Sequence, residues 1–260
     1  SVPEQPLPAL HDAIDQALDD ELRLSALFAL RRAGEPVPRC VAVLADDAGG
    51  RLLVGTATVA GGSFAALTQR CPQAHLFERE IHEQFGLVPE GHPWLKPVRF
   101  ERPLGADPKT TSAPVVGAAD FYRLAGESIH EVAVGPVHAG VIEPGHFRFQ
   151  CHGEHVFHLE ISLGYQHRGV ETALLAGPHK SSLHQIETLA GDTTIGHALA
   201  FCQNLEALAG LRVAGHAQVV RSIALELERL ANHAGDLGAL AGDVGFLPTA
   251  AYCGRIRGDF

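Results

Sequence analysis

The 260-residue chain has no methionine, one tryptophan and three tyrosines, and aromatic residues make up only 6% of it. A chain this apolar without methionine, ending at RIRGDF with no closing turn or tail, is expected to be a segment of a longer gene product. No stretch approaches the roughly eighteen uninterrupted apolar residues of a membrane span, so any membrane contact is expected to run through partners. The opening SVPEQPLPAL has neither the basic nor the apolar part of a secretion signal. Cys40, Cys71, Cys151, Cys202 and Cys253 are odd in number, far apart and without a CxxC pair. That pattern excludes a disulfide framework and a zinc knuckle and points to a reducing, cytoplasmic compartment. Basic residues are scarce as well: the net charge is -10, and no basic stripe exists to hold a phosphate backbone, which sets nucleic acid aside as a partner. What the chain does have is 46% hydrophobic content, enough for a sizeable core in one or two domains, and sixteen histidines, most of them between His130 and His197.

The apolar pattern divides the chain. Over residues 10–33, Leu10, Ile14, Leu18, Leu22 and Leu24 to Leu30 suggest one or two helices stopped at Gly34. CVAVLADDAGGRLLVGTATVAGG alternates on either side of a DDAGGR turn, which is the pattern of two adjacent strands. SFAALTQRCP suggests a further helix, and AHLFEREIHEQFGL another, ended by Gly86. Residues 1–102 therefore form an expected α/β domain with a mixed sheet. Residues 103–130 are its linker, the first eighteen of them rich in Pro, Gly, Ala and Thr. Within residues 131–260, HFRFQC and HVFHLEISL read as a β-hairpin turning at His152-Gly153-Glu154, and the pattern becomes helical beyond Glu171. Val220, Ile223, Leu227, Leu230, Ala234 and Leu237 step by three and four, a narrow seam on a helix of roughly five to six turns that should pack against another helix. The fold class is α+β: an α/β domain, then a hairpin leading into a bundle of long helices.

Two places invite a chemical reading. His138, His146, His152, His155, His158 and His167 crowd the hairpin, but strand alternation scatters them, and no HxH or HExxH spacing or fourth ligand completes a metal set. Solvated or networked histidines fit better. In TLAGDTTIGHALAFCQ, residues 188–203, Asp192, Thr193 and Thr194 are good N-cap residues for a helix. The same turn, with Gly191 before it and His197 one turn inside, is also a positive helix end that favours an anion or a polarised ligand.

Three stretches carry a family likeness. FEREIHEQFGLVPEGHPWLKPVRF, residues 77–100, resembles the signature of the 30-kDa subunit of respiratory complex I. GPVHAGVIEPGHFRFQCHGEHVFHLEISLGYQHRGVE, residues 135–171, and ELERLANHAGDLGALAGDVGFLPTAAYCGRIRGDF, residues 226–260, resemble the hydrogenase-derived 49-kDa subunit. Their fusion in this order is the arrangement of the large subunit of formate hydrogenlyase and other membrane-bound [NiFe] hydrogenases.

The resemblance implies what the turn before His197 should contain. Hydrogenases of this family carry a CxxC pair there whose thiolates hold nickel and iron, and the alignment on His197 puts Ala190 and Thr193 at those positions. Alanine has no donor atom and threonine offers a hard, weak one, so no metal is expected in this segment. Complex I fills the space with a quinone, using a tyrosine and a hairpin histidine; here those positions read Gly191 and the Glu143-Pro144-Gly145 run. Asp243 falls on an acidic residue of complex I, and Glu143 resembles a proton-relaying glutamate of hydrogenases. The expected site is a cavity lined by Glu143, His197 and Asp243 with the Gly191-Asp192-Thr193 turn, relaying protons or binding a polar ligand if burial raises a carboxylate pKa. The bland alternatives are a helix cap at Asp243 and a turn residue at Glu143. The implied role is that of a subunit docking an iron-sulfur small subunit onto membrane-arm subunits at the inner face of the cell membrane, the iron-sulfur cluster lying in the partner and residues 77–100 forming an interface. A quinone-reducing enzyme using the emptied cavity and a pure scaffold are the alternatives.

Overall fold

The computed structural model describes residues 2, 4–31, 37–115, 118, 120–136, 144–175 and 177–260. They fall into two compact units divided between Gln166 and His167, so the histidine-rich hairpin belongs with the first. Among the described residues there are three small sheets and seven α-helices, a mixed α and β fold. The helical part beyond Glu171 is present as separate helices.

The first unit opens with α1 (Leu7–Asp19), which starts on Pro6 and Pro8 and buries Leu10, Ile14 and Ala17 on one face. Glu21, with φ of 63°, ends the helical path. The apolar run after it is β1 (Arg23–Leu30) rather than the helix expected over 24–30. An eight-residue apolar run carries no period of its own, and here the antiparallel ladder to β2 (Arg39–Asp46) decides, with a bulge between Leu24 and Ala26. Gly34, the expected helix stop, lies outside the described residues. β2 continues into β3 (Arg51–Thr58) as the expected antiparallel pair. At the turn the Asp46 carboxylate accepts the Gly49 N–H at 2.6 Å and the Arg51 guanidinium at 2.7 Å, and the Arg51 hydrogen bond, first among the causes, holds the Asp46 carboxyl below its ordinary range.

SFAALTQRCP is not helical. Its first residues form β4 (Ser63–Ala65), parallel to β5 (Val88–Glu90). Where a helix would continue, the Leu67 and Thr68 N–H groups instead donate to the Glu78 carboxylate at 2.6 and 3.0 Å. Glu78 lies on α2 (His75–Phe85), which ends at left-handed Gly86 as expected. α1, the first sheet, Leu67 and Ile81 enclose one apolar core. Burial pushes the Cys40 thiol within it up to about 12, an inert cysteine.

The third sheet runs β6 (His130–Val134), β7 (His146–His152), β8 (His155–Ser162), all antiparallel. Its hairpin turns through left-handed Gly153 where expected. The second unit holds α3 (Val170–Leu174), α4 (Ser182–Glu187), α5 (Thr194–Leu208), α6 (Gly215–Asp243) and α7 (Leu247–Asp259). At 29 residues α6 is longer than the five to six turns expected, roughly 43 Å at a rise of about 1.5 Å per residue. The Cβ that Gly238 lacks would stand 3.0 Å from Cys253 Cβ, so this glycine sets how closely α7 lies on α6. The seam residues Val220, Ile223, Leu227, Leu230 and Leu237 are exposed.

Candidate functional site

α5 begins at a single 3-10 turn, Gly191–Thr193, and neither Asp192 nor Thr193 caps it. The Thr194 hydroxyl donates to the Gly191 carbonyl, and the cap comes from α6 instead. Glu228 accepts the Ile195 N–H at 2.5 Å and the Gly196 N–H at 3.1 Å. One turn further along α6, Asn232 donates to the Asp192 carbonyl at 2.7 Å, and from α7 the Arg257 guanidinium donates to the Asp192 carboxylate at 2.6 Å. Two free helix N–H groups and the positive end of α5 are thus taken by a carboxylate of the chain itself. At the other end of α5, Arg221 of α6 donates twice to Glu206, at 2.6 and 3.0 Å. These two fastenings fix α5 antiparallel to α6.

That geometry separates the expected site residues. His197 lies half-buried on the first turn of α5, at the level of Glu228. Asp243, the last residue of α6, is fifteen residues past Glu228, roughly 22 Å further along at about 1.5 Å per residue. It is also exposed. His197 and Asp243 thus stand at different levels of α6, and in the exposed Gly191-Asp192-Thr193 turn Asp192 is bonded by Asn232 and Arg257 while Glu228 holds the N–H groups that follow. Glu143 lies outside the described residues. A nickel-iron centre does not fit this turn: Ala190 and Thr193 supply no thiolate, and the nearest ionised oxygens are already spent on backbone N–H groups and an arginine. Glu228 and Asn232 could have been noticed in ELERLAN as polar residues at i and i+4 on a helix with an apolar seam.

In the first unit the FEREIHE stretch is an internal frame. Glu78 is 0% exposed and also accepts the Thr68 hydroxyl at 2.5 Å. Glu83 binds three backbone N–H groups of the following loop, those of Val98, Arg99 and Glu101, at 2.8 to 2.9 Å. Arg79 donates to the Lys96 and Pro97 carbonyls at 2.7 and 2.9 Å, and Glu80 pairs with Arg99 at 3.0 Å. Lys96 then reaches Glu160 of β8 at 2.5 Å, while the other Glu160 oxygen accepts the Tyr122 N–H at 3.0 Å. Phe121 lies under the Arg148 guanidinium at 4.2 Å and Tyr122 against His158 at 4.5 Å. Part of the expected linker is therefore a strap over the polar face of the third sheet, its Phe121 and Tyr122 lying against the His146 and His158 rings. Among the described residues no three His, Cys, Asp or Glu side chains come together as metal ligands.

This frame carries the first part of the FEREIHEQFGLVPEGHPWLKPVRF signature, and the likeness to known proteins agrees with it. Residues 11–113 match the family described as respiratory-chain NADH dehydrogenase, 30 Kd subunit, and form a complex I 30-kDa-like domain. Relatives of the longer stretch include formate hydrogenlyase subunit 5 of Escherichia coli, 30% identical over 200 residues, which are 70% of this chain and 35% of that protein. Hydrogenase-4 component G of the same organism is 30% identical over 196 residues, 70% of this chain and 35% of its own length. An NADH-quinone oxidoreductase subunit of Bacteroides thetaiotaomicron is 26% identical over 216 residues, 71% and 40% of the two chains. The chain spans about a third of the length of the curated relatives it matches.

Proposed function

We propose that this chain serves as a docking subunit of a membrane-associated oxidoreductase assembly of the complex I and hydrogenase type, seating an iron-sulfur subunit against membrane-arm partners without a nickel-iron centre of its own. The observation that carries the reading is the fastened turn at the start of α5. Where the family likeness puts metal thiolates, this chain has Ala190 and Thr193, and the neighbouring Asp192 and Ile195 are bonded by its own Glu228, Asn232 and Arg257. The names of the relatives support an assembly of this kind, and the outward apolar seam of α6 supplies surface for a protein partner. Among the described residues no helix is long and apolar enough to cross a membrane, so attachment through partners is consistent with the sequence.

The test is made on the complex purified through a tag on this chain. An iron-sulfur protein and membrane subunits should co-purify in fixed stoichiometry, and elemental analysis should find no stoichiometric nickel. His197→Ala and Asp243→Asn should leave electron transfer by the complex unchanged. Loss of quinone reduction in either variant would replace docking with a catalytic role for that residue, and stoichiometric nickel would overturn the account of Ala190 and Thr193.

A further inference from the structure

The loop after β5 is fastened by two histidines whose hydrogen bonds each require a neutral ring. The Trp94 backbone N–H donates to His92 Nδ1 at 3.1 Å, so that nitrogen carries no proton, and His92 Nε2 faces the His75 carbonyl at 3.2 Å, which only accepts. His92 is therefore the neutral ring protonated on Nε2. His75 Nε2 lies 3.2 Å from Arg79 Nη1, and because a guanidinium only donates, His75 Nε2 must accept and its proton sits on Nδ1. The rings stack: His75 on His92 at 5.1 Å and on Trp94 at 5.9 Å, while Arg79 and Lys96 stand 5.0 and 5.1 Å from the Trp94 ring centre.

We propose that His75 and His92 form a proton-released latch, which holds the loop around Trp94, and through Lys96 the seat of β8, only while both rings are neutral. A proton on His92 turns Nδ1 into a donor pointing at the Trp94 N–H. A proton on His75 sets an imidazolium against the Arg79 guanidinium, beside a ring already flanked by two cations. Either event loosens Trp94 and, through the shared loop, the seat of Lys96, whose carbonyl stays bonded to Arg79. Glu160, 2% exposed, then holds its Lys96 contact less firmly beside the Tyr122 N–H, and a buried carboxylate left short of partners is costly. The charged and titratable groups around the pair are Glu78, Arg79 and His82 of α2, Lys96 of the loop, and Glu160 of β8 reaching it through Lys96. Of these Glu78 favours protonation, but its oxygens are spent on Leu67 and Thr68. Burial, first among the causes, and Arg79 hold both histidines below their ordinary 6.5. A folded-state value below the unfolded one means that the stabilisation is complete above pH 6.5 and fades as pH falls below it.

Trp94 is the single tryptophan, so its emission reports on this loop alone. In the full 260-residue chain, acidification from roughly pH 7.5 to roughly pH 5 should change Trp94 emission and raise its quenching by acrylamide, with a midpoint below 6.5. Hydrogen exchange over residues 91–98 and 120–124 should rise in step. In His92→Asn the side-chain amide oxygen accepts the Trp94 N–H two residues on without titrating, and in His75→Gln the amide oxygen serves Arg79. The double variant should show a flat profile. A transition that persists in it, or no transition in the unmodified chain, overturns the latch. Should the variants not fold, ring-nitrogen NMR of the unmodified chain decides: His92 neutral on Nε2–H near pH 7.5 is expected, and the Nδ1–H form, or a His92 midpoint at or above 6.5, overturns it.

Discussion

α1 of the first unit and α6 of the second are both written with apolar residues at steps of three and four, yet the outcomes differ. On α1, Leu10 and Ile14 are 2% and 0% exposed, facing a sheet and a core that Leu67 and Ile81 complete. On α6, Ile223 and Leu230 remain 55% and 46% exposed. Helical periodicity specifies which face will be covered and says nothing of what covers it. The first unit supplies both surfaces from its own residues and spends its buried carboxylates, Glu78 and Glu83, on backbone N–H groups nearby. The second holds together through polar fastenings between helices, Glu228 to α5, Arg221 to Glu206, Arg257 to Asp192, and through the close approach of α7 at Gly238. A domain with an enclosed core stands by itself, whereas helices with an outward seam are organised to receive a neighbour.

The largest effect expected from this contrast comes from making one kind of truncation in both units. Leu67→Ala or Ile81→Ala, at positions 0% and 1% exposed, should cost about 2 to 5 kcal/mol of the first unit's stability through lost burial and the cavity left behind. Ile223→Ala or Leu230→Ala should change the second unit by no more than about 0.5 kcal/mol in the isolated chain. Urea unfolding followed at Trp94 for the first unit, and by far-ultraviolet circular dichroism for the helices, separates the two. If the α6 substitutions cost as much as those in the core, the seam is covered in solution and the contrast fails. In the assembled complex the same α6 substitutions should weaken association instead.

How far the sequence discloses this arrangement depends on where the decisive partner lies along the chain. α2, its stop at Gly86, the β2–β3 pair and the hairpin turn at Gly153 are readable because each is settled within a few residues. Leu24 to Leu30 misleads because the choice between helix and strand is made by a ladder to residues 39–45. SFAALTQRCP misleads because the acceptor for its N–H groups, Glu78, lies ten or eleven positions on. The turn before α5 is legible as a helix start with no metal thiolates. Its true cap is not, since Glu228 arrives from 33 and 32 positions away. Asp243 resembles a site residue by family position alone, and only the length and direction of α6 take it away from His197.

A middle-sized effect tests the polar fastening itself. Glu228→Ala removes the acceptor of the Ile195 and Gly196 N–H groups and should cost about 1 to 2 kcal/mol, the scale of a lost helix cap. Glu228→Gln keeps one oxygen and should cost less. Amide exchange at Ile195 and Gly196 should accelerate in both variants, while Leu67 and Thr68, capped by Glu78 in the other unit, stay protected. Equal protection at Ile195 in all three proteins would mean that α5 does not depend on α6.

The smallest effect concerns Arg257, whose pair with Asp192 is largely solvated, with side chains 40% and 73% exposed. Breaking it with Arg257→Gln should cost about 0.2 to 1 kcal/mol, less at high salt. Gly235 sharpens the measurement, because a Cβ there would meet the Arg257 Nη1 at 3.1 Å and push the guanidinium off Asp192. Alanine for glycine inside a helix gains about 1 kcal/mol from backbone propensity. Gly235→Ala should therefore show close to that full gain in an Arg257→Ala background and a smaller one when Arg257 is present. The difference between the two gains, read from paired unfolding curves, is the coupling between α6 and the Arg257–Asp192 contact. Identical gains in both backgrounds would mean that the guanidinium has room to move aside and that the turn before α5 is held by Glu228 and Asn232 alone.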